Sequence, residues 1–312
     1  MSSPDFGSSP TLADMRQAAG RIGAHVRRTP LVNRASLDRA LGRSTWLKCE
    51  NQQVGGAFKA RGATNAVLAG DPARMTGGVA THSSGNHAAA LARAAAAAGI
   101  EATVVMPDNA ARVKREAARA AGARIVDCAP TQQAREETLA RVVADTGSTV
   151  IHPYADPLVI AGQGTVGLEL LDELAAGDTV VVPVGGGGLI SGIALVLAEC
   201  CPEVSVIGVE PAGADDARRS FHAGRVVPVV PDTVADGLRA TIGALNLDLV
   251  RRHVREIVTV DDAAILRTMA LIEQHLDMPV EPSGAVAAAA VGTGAVPGEG
   301  RVVAVITGGN RD

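Results

Sequence analysis

The stretch VGGAFKARGATNA, residues 54 to 66, holds a lysine, Lys59, between Phe58 and Ala60, just after a pair of glycines. The chain carries 29 basic residues, of which three are lysines (Lys48, Lys59 and Lys114) and 26 are arginines. Arginine meets nearly every need for positive charge, so a lysine kept among small, weakly charged neighbours is a candidate amine. A desolvated ammonium can lose its proton and attack a carbonyl, whereas a guanidinium cannot. The plain alternative is a surface lysine at a helix start.

A second group could hold an anion. The run DTVVVPV leads into four glycines, Gly185, Gly186, Gly187 and Gly188, followed by the apolar segment LISGIALVLAEC. Consecutive glycines let backbone N–H groups converge, and a helix N-terminus adds partial positive charge. Four in a row exceed what a strand–helix turn needs, since each adds to the entropy cost of ordering the loop. No GK[ST] follows and no register fits GxGxxG, so nucleotide readings lose support. Beyond GVATHS come Ser83, Ser84, Gly85, Asn86 and His87, which can cap a helix or present hydroxyls and N–H groups to a carboxylate. His87 taken singly reads as structural. RVVAVI ends in TGGN, Thr307 to Asn310, a hydroxyl and two glycines at a strand end. In MPVEPSGAVAAAAVG, Glu281 precedes an expected N-cap at Ser283, and in VSVIGVEPAGADDARRS the acids Glu210, Asp215 and Asp216 are helix-dipole partners or hard-cation ligands. A cofactor with both an aldehyde and a phosphate would use the lysine and the glycine loop together; pyridoxal phosphate has both.

The elements that must position these residues follow from periodicity. TLADMRQAAGRIGAHV predicts a helix with Leu12, Met15, Ala19 and Ile22 on one face. From STWLKCE onward, short β-branched runs (GVATHS, ATVVMP, ARIVDC, STVIHP, DTVVVPV, VSVIGVE, REIVTV, RVVAVI) alternate with alanine-rich helical segments. Strands spaced by such helices predict an α/β architecture of mostly parallel sheets with helices on both faces, and the runs are apolar nearly throughout, as covered sheets require. Ligands gather beyond the carboxyl ends of such strands, where the residues above fall.

Bulk properties narrow the class. At 312 residues the chain makes one large or two modest domains. With 47% hydrophobic residues and 35 glycines against one Trp, one Tyr and three Phe, the core must be built from small aliphatic side chains. A formal charge of −4 gives no basic footprint for nucleic acid. No apolar run approaches the roughly 20 residues of a membrane span. No secretory leader is visible, and Cys49, Cys128, Cys200 and Cys201 lack metal-ligand spacing, so a cytoplasmic protein with reduced thiols is expected.

In order along the chain, AFKARGATNA, THSSGNHAAALA, PVGGGGLISGIA, EPSGA and TGGN resemble the pyridoxal-phosphate enzymes of the tryptophan-synthase β fold (fold type II), most of all the serine/threonine dehydratase and serine racemase group. The resemblance spans residues from about 10 to the C-terminus and leaves no room for the regulatory domain of longer threonine dehydratases. It implies two α/β domains: residues 1–72 and 155–312 as a large cofactor-binding domain, and 73–154 as a small mobile one. It further implies that Lys59 binds the cofactor aldehyde and moves the Cα proton, with Phe58 beside it. Asn86 would meet the 3′-oxygen, Gly185 to Gly188 and Leu189 the phosphate, Thr307 the pyridine nitrogen, and Gly237 and Glu281 the rest of the cofactor pocket. Ser83, Ser84, Gly85 and His87 would hold the substrate carboxylate, with Ser84 the acid/base on the face opposite Lys59. Glu210, the Ala214 carbonyl and Asp216 resemble a site for magnesium or another divalent cation. Two departures stand out: Ala57 and Thr307 occupy positions where serine is commoner.

A hydroxyl at the pyridine nitrogen does not keep that nitrogen protonated, which favours prompt β-elimination over a long-lived carbanion. The resemblance therefore points first to a lyase converting L-threonine and/or L-serine to 2-oxo acid and ammonia. Serine racemase is the second expectation. A dehydratase for 3-hydroxyaspartate is the third, with Arg135 in TQQAREET as the candidate partner of the distal carboxylate. A carrier without turnover is the alternative from another class. Beyond the amino-acid substrate, the resemblance implies a homodimer.

Overall fold

The computed structural model describes residues 8–71 and 75–311. Among these residues ten strands occur: β1 (Leu31–Asn33), β2 (Thr45–Cys49), β3 (Val79–His82), β4 (Ala102–Pro107), β5 (Arg124–Cys128), β6 (Thr149–Val150), β7 (Thr179–Pro183), β8 (Ser205–Pro211), β9 (Glu256–Val260) and β10 (Val302–Ile306). The first six α-helices are α1 (Leu12–Ile22), α2 (Ala35–Leu41), α3 (Lys59–Ala69), α4 (Asn86–Ala97), α5 (Arg112–Ala120) and α6 (Gln132–Thr146). The others are α7 (Pro157–Leu170), α8 (Gly188–Cys200), α9 (Asp216–Ala223), α10 (Ala244–His253), α11 (Asp262–Leu276) and α12 (Pro282–Gly292).

The strands form two sheets, one of six in the order β1-β2-β10-β7-β8-β9 and one of four in the order β5-β4-β3-β6. Every pairing is parallel except β1 with β2. The chain thus has two mixed α/β units with mostly parallel sheets flanked by helices, as the sequence predicts. Alternation along the strands sorts each apolar run between two cores. In β7, Val181 packs with α2, α11 and α12 on one face, while Val180 and Val182 pack with α8 and α10 on the other. In the smaller sheet Val104 and Met106 of β4 face α4, and Val105 faces α6. The runs ARIVDC and REIVTV depart from full coverage because β5 and β9 are edge strands with half-buried positions.

Small residues set how closely the helices pack. A Cβ at Gly192 of α8 would lie 2.6 Å from the Gly164 nitrogen of α7, and one at Gly162 would lie 2.6 Å from the Arg61 carbonyl of α3. Helix α7 is pressed between α3 and α8 at distances only glycine allows, so bulky aromatics have no place there. Helix α1 buries Met15, Ala18 and Ile22; Ala18, not Ala19, completes the i, i+3, i+7 stripe. All four cysteines are free thiols. No helix among the described residues is long and apolar enough to cross a membrane. The expected domain boundary at 72/73 and the extreme N-terminus lie outside the described residues.

Candidate active site

Lys59 opens α3, and the loop before it is tied to the C-terminal strand end. Phe58 N–H donates to the Thr307 carbonyl at 3.1 Å, and Ala57 bridges Gly308 in antiparallel fashion. The loop turns through Gly55 (φ 72°) and Gly56 (φ 74°), left-handed conformations that favour glycine. Lys59 Nζ donates to the Pro153 carbonyl at 2.7 Å and lies 5.1 Å from the centroid of the Phe58 ring. Burial pulls its pKa down to about 8. Two residues on, fully buried Arg61 pairs with Glu50 at 2.7 Å and Glu169 at 2.6 Å, and Lys48 joins Glu169 at 2.6 Å. This ion network pins the first turn of α3 to α7. The scarcity of lysine thus has three outcomes: Lys48 serves in a buried ion pair, Lys114 pairs with Asp236, and Lys59 has no carboxylate partner among the described residues.

The four glycines join β7 to α8, and all are buried. A Cβ at Gly186 would lie 2.2–2.5 Å from ring atoms of Tyr154, one at Gly187 (φ 92°) 2.8 Å from Asn246 Cβ, and one at Gly188 2.9 Å from the Tyr154 carbonyl. Asn246 Nδ2 donates to the Gly186 carbonyl at 2.5 Å and holds the turn from behind. No amide from Gly185 to Leu189 donates a hydrogen bond among the described residues. Buried donors left open at a helix N-terminus call for an anion. Pro153 and Tyr154 connect the two halves of the site, one accepting from Lys59 and the other lying on Gly186.

The amide of Asn86, at the start of α4, donates through Nδ2 to Glu281 Oε1 at 2.7 Å and accepts through Oδ1 from Asn310 Nδ2 at 3.1 Å. Glu281 is 3% exposed, its Oε2 has no partner among the described residues, and burial raises its pKa to about 7. Glu281 is itself the N-cap position of α12; Ser283, expected to cap, lies within the first turn and accepts from Gly237 N–H through Oγ at 2.9 Å. The Ser283 carbonyl accepts from Thr307 Oγ1 at 3.3 Å, so Gly237, Ser283 and Thr307 form one wall. Ser83 Oγ accepts from Gly85 N–H at 3.2 Å, and half-buried Ser84 Oγ makes no hydrogen bond among the described residues. His87 is buried, with Nε2 3.4 Å from the Ile151 carbonyl and Nδ1 without a partner among the described residues. Burial drives its pKa well below the ordinary range, which keeps the ring neutral.

Two histidines given no role from the sequence lie near these residues, and the Arg135 charge reaches one of them. His82 ends β3, and His152 follows its neighbour β6, so both lie at carboxyl ends of adjacent parallel strands. The His82 and His152 rings meet edge-on at 5.6 Å, and His152 meets Tyr154 at 4.5 Å. Burial lowers the pKa of His152 to about 3 and also lowers that of His82, where the Arg135 charge acts in the same direction. Arg135 is half-buried on α6; its buried Nε has no partner among the described residues, and its charge reaches His82 and Tyr154. The strand-end rule applied to THSS and IHPY could have found the histidines. Arg61 and Asn246 left no comparable trace, and Asn310 figures only as the last residue of TGGN.

Glu210 near the end of β8, Ala214 in the following turn and Asp216 at the start of α9 are all buried. The Glu210 carboxylate accepts from Ala217 N–H (2.9 Å) and Arg218 N–H (2.7 Å), and Asp216 from Ile242 N–H (2.8 Å). Burial lifts Glu210 to about 9, with the Asp216 charge adding to it, and lifts Asp216 to about 6. No cluster of three His, Cys, Asp or Glu side chains able to hold a metal occurs among the described residues.

A desolvated amine joined through Pro153–Tyr154 to a cradle of open amides fits an aldehyde-bearing phosphate, and the comparisons agree. Residues 22–308 match the family model described as pyridoxal-phosphate dependent enzyme. The chain is 48% identical over 306 residues to the beta-hydroxyaspartate dehydratase of Paracoccus denitrificans (strain Pd 1222), covering 97% of each. It superposes on the structure of maize serine racemase with a TM-score of 0.94 at 40% identity, covering 98% of this chain and 95% of that one. It superposes on the threonine deaminase of T.th. with a TM-score of 0.90 at 42% identity, covering 97% and 99%. The chain belongs to the fold type II pyridoxal-phosphate-dependent enzymes, in the group related to serine racemases and dehydratases.

Proposed function

We propose that the protein is a lyase that removes water from 3-hydroxyaspartate, giving a 2-oxo dicarboxylic acid and ammonia. The observation that carries this reading is the Arg135 guanidinium, whose buried Nε has no partner among the described residues and whose charge acts on His82 and Tyr154. A dicarboxylic substrate supplies the acceptor that this donor lacks, and charge-assisted pairs are the strong ones. The similarity to a beta-hydroxyaspartate dehydratase over nearly the whole chain supports the same choice, ahead of the threonine/serine dehydratase first expected.

Pyridoxal phosphate, held by Lys59, Asn86, Thr307 and the amides of Gly185 to Leu189, supplies stabilisation of negative charge at the substrate Cα. Phe58, Gly237 and Glu281 complete its pocket. Lys59, neutral in an appreciable fraction near pH 7 because of its burial, takes the Cα proton. Ser83, Ser84, Gly85 and His87 orient the α-carboxylate, and Arg135 orients the β-carboxylate. Loss of the Cα proton and the Cβ hydroxyl releases one water; hydrolysis of the resulting enamine consumes one and frees ammonia. Serine racemisation is the second reading, favoured by the uncommitted Ser84 hydroxyl, which could return a proton from the other face. A small domain of residues 73–154 moving over the site and a homodimeric assembly belong to the same proposal.

The test is a substrate panel of threo- and erythro-3-hydroxyaspartate, L-serine, D-serine and L-threonine, following 2-oxo acid, ammonia and enantiomer composition. Hydroxyaspartate is expected to give the highest kcat/KM. Arg135→Gln should lower that value roughly ten- to hundredfold, the worth of one charge-assisted contact, while leaving serine within about twofold. Equal losses on both substrates, or no turnover of hydroxyaspartate, overturn the assignment. For Glu210, Ala214 and Asp216, a divalent cation would offset two buried carboxylates whose pKa values burial raises, with the Asp216 charge adding to the rise at Glu210. Magnesium should raise the melting temperature and chelation lower it; indifference to both removes the cation from the scheme.

A further inference from the structure

We propose that Asn310 is a positioning residue that sets which edge of the Asn86 amide faces the cofactor; this rests on the reading above, in which Asn86 contacts pyridoxal phosphate. A side-chain amide has two nearly isosteric orientations related by exchange of O and N. Asn86 is held in one of them from two sides. Asn310 Nδ2 donates to its Oδ1 at 3.1 Å, and its own Nδ2 donates to Glu281 Oε1 at 2.7 Å. Exchanging O and N at Asn86 would set NH2 against NH2 at Asn310 and oxygen against the Glu281 oxygen. One Nδ2 hydrogen of Asn86 is left for a ligand oxygen.

Asn310 is itself fixed. Both of its Nδ2 hydrogens are used, the second by the Gly55 carbonyl at 2.7 Å. Its Oδ1 occupies space that only glycine leaves open, since a Cβ at Gly56 would lie 2.3 Å away. The backbone around it is anchored independently: Gly309 N–H donates to the Gly56 carbonyl at 3.0 Å, and Glu281 N–H to the Gly308 carbonyl at 3.1 Å. A side-chain change at 310 therefore leaves these backbone hydrogen bonds in place. One amide near the C-terminus joins the lysine loop, the start of α4 and, through Asn86, the start of α12.

Asn310→Asp removes both donors and sets a carboxylate against two acceptors; Asn310→Ala removes the donors alone. Titration of the cofactor-free protein with pyridoxal phosphate should show affinity weakened about tenfold or more by Asn310→Asp and about fivefold by Asn310→Ala. With the carbonyl edge of Asn86 turned inward, the 3′-oxygen keeps its proton, so absorbance of the lysine-bound cofactor should move from its visible to its near-ultraviolet band. In an Asn86→Ala background, Asn310→Asp should add less than about twofold to the loss of affinity and no further spectral change. Equal effects in both backgrounds, or unchanged spectrum and affinity in Asn310→Asp, overturn the proposal. Should Asn310→Asp fail to fold, Asn310→Ala carries the same comparison. Loss of affinity in Asn86→Ala with none at position 310 sinks this proposal alone; no effect of Asn86→Ala removes the cofactor role of Asn86 and this inference with it.

Discussion

The pKa of Lys59 makes a prediction about stability that requires no cofactor. Burial without a carboxylate partner lowers it from 10.5 to about 8 in the folded chain, a difference of about 2.5 units. At about 1.4 kcal/mol per unit, the ammonium form of the folded protein is penalised by up to about 3 kcal/mol. Between about pH 8 and 10.5 the unfolded chain binds a proton at this site that the folded chain does not. Stability contributed by the site therefore rises with pH through that window and is flat below it. Lys59→Met keeps the length of the side chain and deletes the titration. The assay is urea unfolding of the cofactor-free proteins from about pH 7 to about pH 10, read as the difference between wild type and variant. Taking that difference cancels the opposing titrations of Cys49 and Tyr154, both pushed up to about 12 by burial. The variant is expected to be the more stable near pH 7, by up to about 3 kcal/mol, with the gap closing as the pH rises. A gap that stays constant across the window means that the amine is hydrated, and the argument for a neutral base near pH 7 fails with it.

Gly186→Ala drives a methyl group into the Tyr154 ring, where ring atoms lie 2.2–2.5 Å from the added carbon, so overpacking of about 1–3 kcal/mol is expected. The melting temperature and pyridoxal phosphate affinity should both fall, and Tyr154→Ala in the same chain should restore part of each; unchanged affinity in the single variant removes the loop from phosphate binding. Lys114 of α5 and Asp236 form the one ion pair among the described residues that joins residues 79–150 to the rest, and both act on Glu281. Where Glu281 ionisation shapes cofactor binding near pH 7, Lys114→Gln should move that inflection up and Asp236→Asn should move it down, as read from affinity against pH. Shifts of the same sign in both variants would refute the electrostatic account.

Local pattern was enough to read the architecture. Every β-branched run named above forms a strand, and the alanine-rich segments form α4, α5, α6 and α11, because strand and helix periodicities act within a few residues. The individual candidates were legible for the same reason: Lys59 by its rarity, Gly185 to Gly188 by their conformational cost, Ser83 to His87 by their place after a strand. Local pattern misplaced Ser283, since a serine after Glu-Pro reads as a cap while the chain enters α12 at Glu281.

What only the tertiary structure decided is which of these residues meet. Lys59 and Pro153 are 94 residues apart, and Asn86 and Glu281 are 195 apart; no spacing rule reaches that far. The lowered pKa of Lys59, the raised pKa of Glu281 and the neutrality of His87 and His152 are properties of burial, which exists only once the two sheets enclose the site. Arg61 looks like one arginine among 26 until α7 brings Glu169 against it. Sequence determines the elements and the chemical types at their ends, because those are set by short-range sterics and hydrogen bonding. Desolvation and partner choice are long-range, and they turn a lysine into a candidate base and an asparagine into a part with a fixed orientation.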